Sequence, residues 1–563
     1  MRKKYRSRIK YIYIAFVFLF VVLSLRIAYL QIFRKNFLRN LAQKQHYRLI
    51  PLEGKRGNIF DRTGKVLATG VSSYSIFADP YLIGDIDQTA RVLALNLELD
   101  KNEISKLLGK DKRFVWIKRK IAWDERNKMK SLGIRGIGFL KEEKRFSSQD
   151  ELAAATLGLV GLDNKGLSGL ELVYDDDLRG KEGWVRILQD SASRQIILSP
   201  QIITPQPGVD VTSTIDMQLQ YWAEEYLRDA VMEFGAKKGS VIVMNAENGA
   251  VLVLANYPSF NPNKVRTATV EYMNNYAITE MFEPGSVFKM NTLIAAIEEG
   301  AFSDDDKFFC EDGKFKIPGT YLHDWKPYGE LKFTEVFKKS SNIGVAKIAS
   351  SLGPEVVYKY MKKLGFGSKT GIDLPGEING SLKDPSKWSK TSQYIIPIGQ
   401  EVGVNLIQLV RAFAVVVNGG YLVQPYMVEN ISAPFFLRKT PVKKTRVISQ
   451  AGARRAKKIL IGAVDDGTAK LAAVKGFQVG GKTGTAQKYD SKIGRYSPSK
   501  YRANFIGFIA DVHPPLVIGV TVDEPRKSHF GGVVSAPVFQ KIAEKAVKYL
   551  EEETILAGAG QQN

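Results

Sequence analysis

An uncharged run near the N-terminus constrains this chain more than any other feature. Arg2, Lys3, Lys4, Arg6, Arg8 and Lys10 place six cations and no acid in the first ten residues, and Tyr11 to Leu25 then carries no charge. Apolar character resumes after Arg26 and lasts to Phe33. As a helix rising about 1.5 Å per residue, residues 11–33 are long enough for the ~30 Å hydrocarbon layer of a bilayer. A cleaved signal peptide would end in small residues at an A-x-A-like site, and Arg26-Ile27-Ala28-Tyr29-Leu30 offers none. The cations stay on the cytoplasmic side. The reading is therefore an uncleaved, single-pass anchor in the cytoplasmic membrane, with a basic tail (1–10) inside and everything after residue 33 outside. Arg26 reaches the far interface or faces a partner helix. A buried soluble helix is the competing reading, and six flanking cations argue against it.

That topology changes the meaning of the charge. The 563 residues carry 81 Lys and Arg against 58 Asp and Glu, a net charge of +23. Outside the membrane, and spread along the chain, such charge suits anionic envelope polymers or lipid headgroups rather than nucleic acid. The densest stretch, Arg438 to Arg446, contains Pro441 and no helical periodicity, and reads as a solvated loop. Cys310 is the single cysteine, which excludes disulfide frameworks, CxxC motifs and four-Cys zinc sites. It reads as thiol avoidance without a redox role.

Residues 34–205 read as a first extracytoplasmic region of short strands, such as Tyr74 to Ala78, and charged helices, such as Lys101 to Lys110. Pro200, Pro205 and Pro207-Gly208 mark its end. Asp216 to Phe234 then has helical spacing, and Gly239 to Met244 with Ala250 to Leu254 reads as a hairpin around Asn248-Gly249. Phe505 to Ala510 and Leu516 to Val522 are further strand-like runs, and Ala536 to Glu552 reads as a final helix. Strands at both ends of a mostly helical middle predict an α/β (α+β) domain whose sheet is closed by distant parts of the chain. A frayed tail is expected over 552–563.

Four histidines (His46, His323, His513 and His529) lack the contexts of a Ser-His-Asp hydrolase or a zincin, so a serine nucleophile needs another base. Ser286 follows a Pro-Gly turn and opens a helix apolar on nearly every side, which places it where free N–H groups favour developing negative charge. Lys289 stands one turn on, and burial there disfavours its ammonium, so that it can act as a neutral base. S-x-x-K alone is weak, since it recurs at Ser7/Lys10 and Ser497/Lys500; Lys-Thr-Gly occurs at Lys369 and Lys482, and S-x-N also at Ser259. One set fits in order and spacing: Ser286-x-x-Lys289, Ser340-Ser341-Asn342 and Lys482-Thr483-Gly484-Thr485, with 54 and 142 residues between their first positions. Gly476 to Thr483 also matches a Walker A motif, but a polar loop rather than a helix is expected after it, outside the cytoplasm.

This set resembles the penicillin-binding proteins and serine β-lactamases. Arg56-Gly57-Asn58-Ile59-Phe60-Asp61-Arg62-Thr63-Gly64-Lys65-Val66-Leu67-Ala68 and Gly166-Leu167-Ser168-Gly169-Leu170-Glu171 are similar to signatures of the class B penicillin-binding proteins, and the likeness runs from the anchor to about residue 550. The resemblance implies a membrane anchor (11–33), an elongated pedestal domain (34–205) and a β-lactamase-like transpeptidase domain (206–551) with a central antiparallel sheet flanked by helices. It implies that Arg56, Asp61, Arg62 and Glu171 form a charged network in the pedestal. Ser286 would attack the carbonyl between the terminal D-alanines of a peptidoglycan stem peptide, with Lys289 taking its proton. The N–H groups of Ser286 and Thr485 would form the oxyanion hole. Ser340 would relay a proton, Asn342 would hold the substrate backbone, Lys482, Thr483 and Thr485 would bind the terminal carboxylate, and Gly484 would let the donor lie along the strand. No metal or cofactor is implied, and β-lactams would bind. Ser72 to Pro80 resembles the S-x-x-A-D-P stretch of septal, FtsI-type enzymes, and the chain ends without the C-terminal repeats some relatives carry. A septal role with an FtsW-type glycan polymerase and division proteins as partners is therefore expected. An elongation enzyme, or a catalytically silent β-lactam sensor or division scaffold, is the alternative.

Overall fold

The computed structural model describes residues 2–38, 47–189, 195–267, 269–490 and 494–560. The chain divides into two compact units: residues 1–55 with 180–208, and residues 56–179 with 209–563. In the first unit, Arg2–Ile32 is one helix whose stretch Arg8–Ile32 is long and apolar enough to cross a membrane, with a mean hydropathy of 2.3. The basic tail thus forms the first turns of the same helix. This unit also holds a three-stranded antiparallel sheet in the order Tyr47–Leu52, Gly183–Gln189, Gln195–Ile203.

The second unit contains two larger sheets. One has seven strands, in the order Phe436–Lys439, Val428–Ala433, Asp210–Ser213, Ile59–Phe60, Val66–Ala78 and Val115–Ile121, with Ile137–Ser147 also paired to Val66–Ala78. Helices Ile86–Leu97 and Lys101–Leu108, capped by Asp85 and Asp100, close a small core around Ile76, Leu93 and Ile104. This sheet crosses the expected boundary at 205/206, because strands 428–433 and 436–439 come from the expected transpeptidase region. The seams between the two compact units fall near 55, 179 and 208. The Pro-Gly punctuation at 207–208 marks where the chain leaves the first unit.

The other sheet is antiparallel. Helix α1 (Met217–Glu233), N-capped by Asp216, leads into strands β1 (Lys238–Asn245) and β2 (Val251–Tyr257), the hairpin read from the sequence. Helices α2 (Lys289–Glu298), α3 (Asn342–Leu352) and α4 (Leu406–Val417) follow. Strands β3 (Val479–Asp490), β4 (Arg495–Ile509) and β5 (Leu516–Asp523) and helix α5 (Ala536–Gly560) complete it. The strand order is β2-β1-β5-β4-β3, so β3 is an edge strand. Side chains alternate across the sheet. Val241 and Val243 share a core with Leu227 of α1 and Phe539 of α5, whereas Ile242 and Met244 share one with Leu293 of α2 and Phe413 of α4. Each such fully buried side chain contributes about 1.5–3 kcal/mol, and the sheet is held between helices on both faces.

Two local readings differ. The stretch 438–446 is exposed as expected, yet it supplies backbone to two short strands, Phe436–Lys439 and Lys444–Arg446, the latter paired with Tyr421–Val423. Strands at a sheet edge tolerate, and favour, such cations. The tail expected from residue 552 is helical as far as Gly560, where no helix breaker interrupts Glu551 to Ala557, and Glu553 pairs with Arg62. Gln561, Gln562 and Asn563 lie outside the described residues.

Candidate active site

The turn that presents Ser286 is set by two glycines. Gly285 has φ +58°, and Gly399, at φ +87°, would place a side chain 2.1 Å from the Gly285 carbonyl oxygen. Only a residue without Cβ fits there. Gly285–Phe288 is a 3₁₀ turn that runs directly into α2, so Ser286 stands just before the α-helix, half-buried, in a cleft of about 90 Å³ lined also by Asn342, Thr485 and Gln487. Every residue from Val287 to Ala296 is buried, including Lys289.

Lys289 reaches a second motif. Its Nζ donates to the Ser340 carbonyl oxygen at 2.6 Å and to Ser340 Oγ at 3.2 Å. Among the described residues no hydrogen bond joins Ser286 to Lys289. Ser340 adopts φ +59°, in the left-handed region that costs a non-glycine residue about 1–2 kcal/mol. That conformation points both of its oxygens at Lys289. Ser341 then N-caps α3 through the Gly344 N–H at 2.9 Å, and Asn342 Nδ2 donates to the His323 carbonyl at 2.7 Å.

The third motif lies on β3. Lys482, 1 % exposed, donates to Ser340 Oγ at 2.8 Å and to the Thr483 carbonyl at 3.3 Å. One hydroxyl therefore meets two buried lysines. Burial lowers Lys482 to about 7, and burial together with the Lys482 charge holds Lys289 well below the ordinary lysine range, partly offset by Asp324. Two ammoniums stripped of water and sharing one partner repel, so the pair favours holding one proton rather than two. Lys289, Ser340 and Lys482 come from three distant segments and meet here, with Ser286 and Asn342 on the same cleft.

The remaining motif residues differ in detail. The Thr483 hydroxyl lies 3.1 Å from that of Thr468, and the Thr485 hydroxyl accepts from the Gly531 N–H at 3.1 Å. A Cβ on Gly484 would come within 2.7 Å of the Pro284 carbonyl oxygen and 2.8 Å of Val287. Its missing side chain thus makes room for the turn carrying Ser286. The second Lys-Thr-Gly is structural: the Thr370 N–H and hydroxyl both bond Glu377 at 2.6 Å in a loop. Lys482 lies inside a strand, which removes the phosphate-loop reading. Ser497 lies in β4, where its Oγ takes the N–H groups of Ser499 and Lys500, away from the cleft motifs.

Against this geometry, residues 239–544 match the penicillin binding protein transpeptidase domain, more than half of the chain. The chain belongs to the penicillin-binding proteins. Residues 51–213 match the penicillin-binding protein dimerisation domain. A probable peptidoglycan D,D-transpeptidase, PbpC, of Pseudomonas aeruginosa is 34 % identical over 97 % of this chain and 96 % of its own. Stage V sporulation protein D of Bacillus subtilis is 32 % identical over 97 % of this chain and 86 % of its own. The structure of penicillin binding protein 3 from Mycobacterium tuberculosis, complexed with aztreonam, superposes with a TM-score of 0.70 at 26 % identity, covering 89 % of this chain and 97 % of that one.

In this penicillin-binding protein the expected pedestal network separates into two. Arg56 bonds Glu171 and Asp175, both at 2.7 Å, and Arg145 bonds the other Glu171 oxygen at 2.5 Å. Arg62 instead pairs with Asp216, the cap of α1, and with Glu553 on α5. Asp61 takes the N–H groups of Thr63 and Lys65, closing its own turn. Arg145, Asp175 and Asp324 were not singled out from the sequence, since no motif spacing marks them.

Proposed function

We propose that this chain is a class B peptidoglycan D,D-transpeptidase that works at the division septum. The observation that carries the catalytic part is the convergence of Lys289 and Lys482 on Ser340 beside the half-exposed Ser286. Ser286 Oγ attacks the carbonyl carbon between the two terminal D-alanines while its proton passes to neutral Lys289. The N–H groups of Ser286 and Thr485 hold the oxyanion. The C–N bond breaks as Ser340 delivers a proton to the departing D-alanine, and the stem remains as an ester on Ser286. An amine of a neighbouring stem then attacks that ester, releasing Ser286 with its proton and forming the crosslink. The donor's terminal carboxylate binds Lys482 with Thr483 and Thr485, and its arrival favours the protonated form of Lys482. Asn342 holds the donor's backbone, which lies along the edge strand β3. β-Lactams acylate the same serine.

The basic helix Arg2–Ile32 anchors the chain with its N-terminus in the cytoplasm and the remainder outside. The stretch Ser72 to Pro80, similar to septal enzymes, supports the septal role, with an FtsW-type polymerase reached through the anchor near Arg26 as partner. Similarity to a sporulation protein favours a second reading, in which the septum is that of a developing spore. Labelling with fluorescent penicillin tests the chemistry: wild type should label and Ser286→Ala should not, and a labelled Ser286→Ala ends the assignment. A tagged copy should concentrate at midcell; uniform lateral signal overturns the septal role, and signal confined to sporulating cells selects the second reading. Charge reversal at Arg26 should reduce co-purification of the polymerase, and unchanged recovery removes that contact.

A further inference from the structure

The strained turn at Ser340 is held by a residue that belongs to none of the three motifs. Asp324 follows strand Thr320–His323, and its own N–H is tied to the Gly313 carbonyl at 3.1 Å. Its carboxylate takes the Ser341 hydroxyl at 2.6 Å on one oxygen, and the N–H groups of Asn342 and, at 3.1 Å, Ile343 on the other. These two N–H groups open α3 and have no partner within the helix, so a carboxylate there satisfies both and meets the positive helix end. The preceding residue completes the clamp, because Asn342 Nδ2 bonds the His323 carbonyl. Ser340 is therefore followed by residues fixed at four atoms, and its φ of +59° persists against a local cost because the surroundings over-determine it.

We propose that Asp324 is a positioning residue for transpeptidation: it locks the Ser340–Asn342 turn so that Ser340 Oγ stays between Lys289 and Lys482, and it supplies negative charge to that otherwise cationic pocket. The inference rests on the function proposed above. The charge has a separate consequence from the hydrogen bonds. The groups that act on Lys289 are Lys482, which disfavours its protonation along with burial, and Asp324, which favours it. Removing the Asp324 charge while keeping its shape should make Lys289 lose its proton at lower pH.

The test measures the acylation rate of the full-length chain in detergent by fluorescent penicillin, from pH 5 to 9. Asp324→Asn retains acceptor geometry for the two N–H groups, so its best rate should stay within about threefold of wild type, while the acid limb of its profile moves to lower pH. Asp324→Ala loses clamp and charge, and its rate should fall on the order of 10- to 100-fold, as for a misplaced catalytic group. Ser341→Ala removes one bond to Asp324 and no charge, and should leave the limb in place. An Asp324→Asn limb that stays put or moves to higher pH overturns the proposal, as does Asp324→Ala acylating at the wild-type rate. Should Asp324→Ala fail to fold, the Asp324→Asn limb decides. Ser286→Ala, run alongside, separates the two levels: its labelling ends the transpeptidase reading itself, whereas an unlabelled Ser286→Ala with an unmoved Asp324→Asn limb ends only this inference.

Discussion

The pedestal and the catalytic cleft both bury cations, and they treat them in opposite ways. Arg56 is 1 % exposed and Glu171 2 %; with Arg145 and Asp175 they form a cluster in which each guanidinium faces a carboxylate within 2.7 Å. Lys289 and Lys482 are as deeply buried, yet their hydrogen bonds go to a serine hydroxyl and to backbone carbonyls. Paired guanidiniums, planar and forked, are fixed charges that hold segments together. Lysines left without a bonded carboxylate are pushed toward the neutral form, the form in which a lysine takes a proton. Burial without a bonded carboxylate is what separates the reactive pocket from the structural one.

The sharpest way to break this contrast is to delete one cation from each side. Lys289→Met should lower acylation by about 10²–10⁴-fold, the usual worth of a positioned general base. Its melting temperature should hold or rise, because an apolar side chain of similar length replaces a desolvated amine. Arg56→Met should do the reverse. It strands Asp175 and half of Glu171, at a cost of about 3–5 kcal/mol as for other buried pairs opened on one side. Acylation per folded molecule should be unchanged. Thermal melts and penicillin labelling on the same preparations read both. If Lys289→Met melts well below wild type, or Arg56→Met labels slowly while folded, the division between structural and reactive cations is wrong.

The same contrast explains what could be read from the residues alone. The reactive side was legible because S-x-x-K, S-S-N and K-T-G-T are short and their order is distinctive, and because α2 is apolar on nearly every side, which marks Lys289 as buried. The anchor and the β1–β2 hairpin were legible for similar reasons of local pattern. The structural side was not. Arg145 and Asp175 join Arg56 only through folding, from 89 and 119 positions along the chain, and Asp61 and Arg62, though adjacent in one signature, go to different partners. Asp324 carries no spacing signal at all, since it grips two backbone N–H groups and a serine hydroxyl 17 positions on. The seams near 55 and 179 escaped too, because a sheet drawing strands from residues 59 and 428 leaves no trace in local composition.

The smallest expected effect tests the sign of the lysine argument. Lys482 stands at about 7 in the folded chain against its usual 10.5. Between these values the unfolded chain binds more protons at this position, so the folded state gains stability as pH rises. Below pH 7 both forms carry the proton and the penalty for burying it is complete. Lys482→Met has no such proton. The wild-type melting temperature, relative to Lys482→Met, should therefore climb between pH 7 and 10, by about 2–4 °C for each kcal/mol recovered. The paired side supplies the control: the wild-type melting temperature relative to Arg56→Met should show no such climb, because both chains keep Lys482 and differ only by a guanidinium. A wild-type curve parallel to that of Lys482→Met would mean that Lys482 is compensated in place, and the cleft would then be a second structural cluster rather than the exception to one.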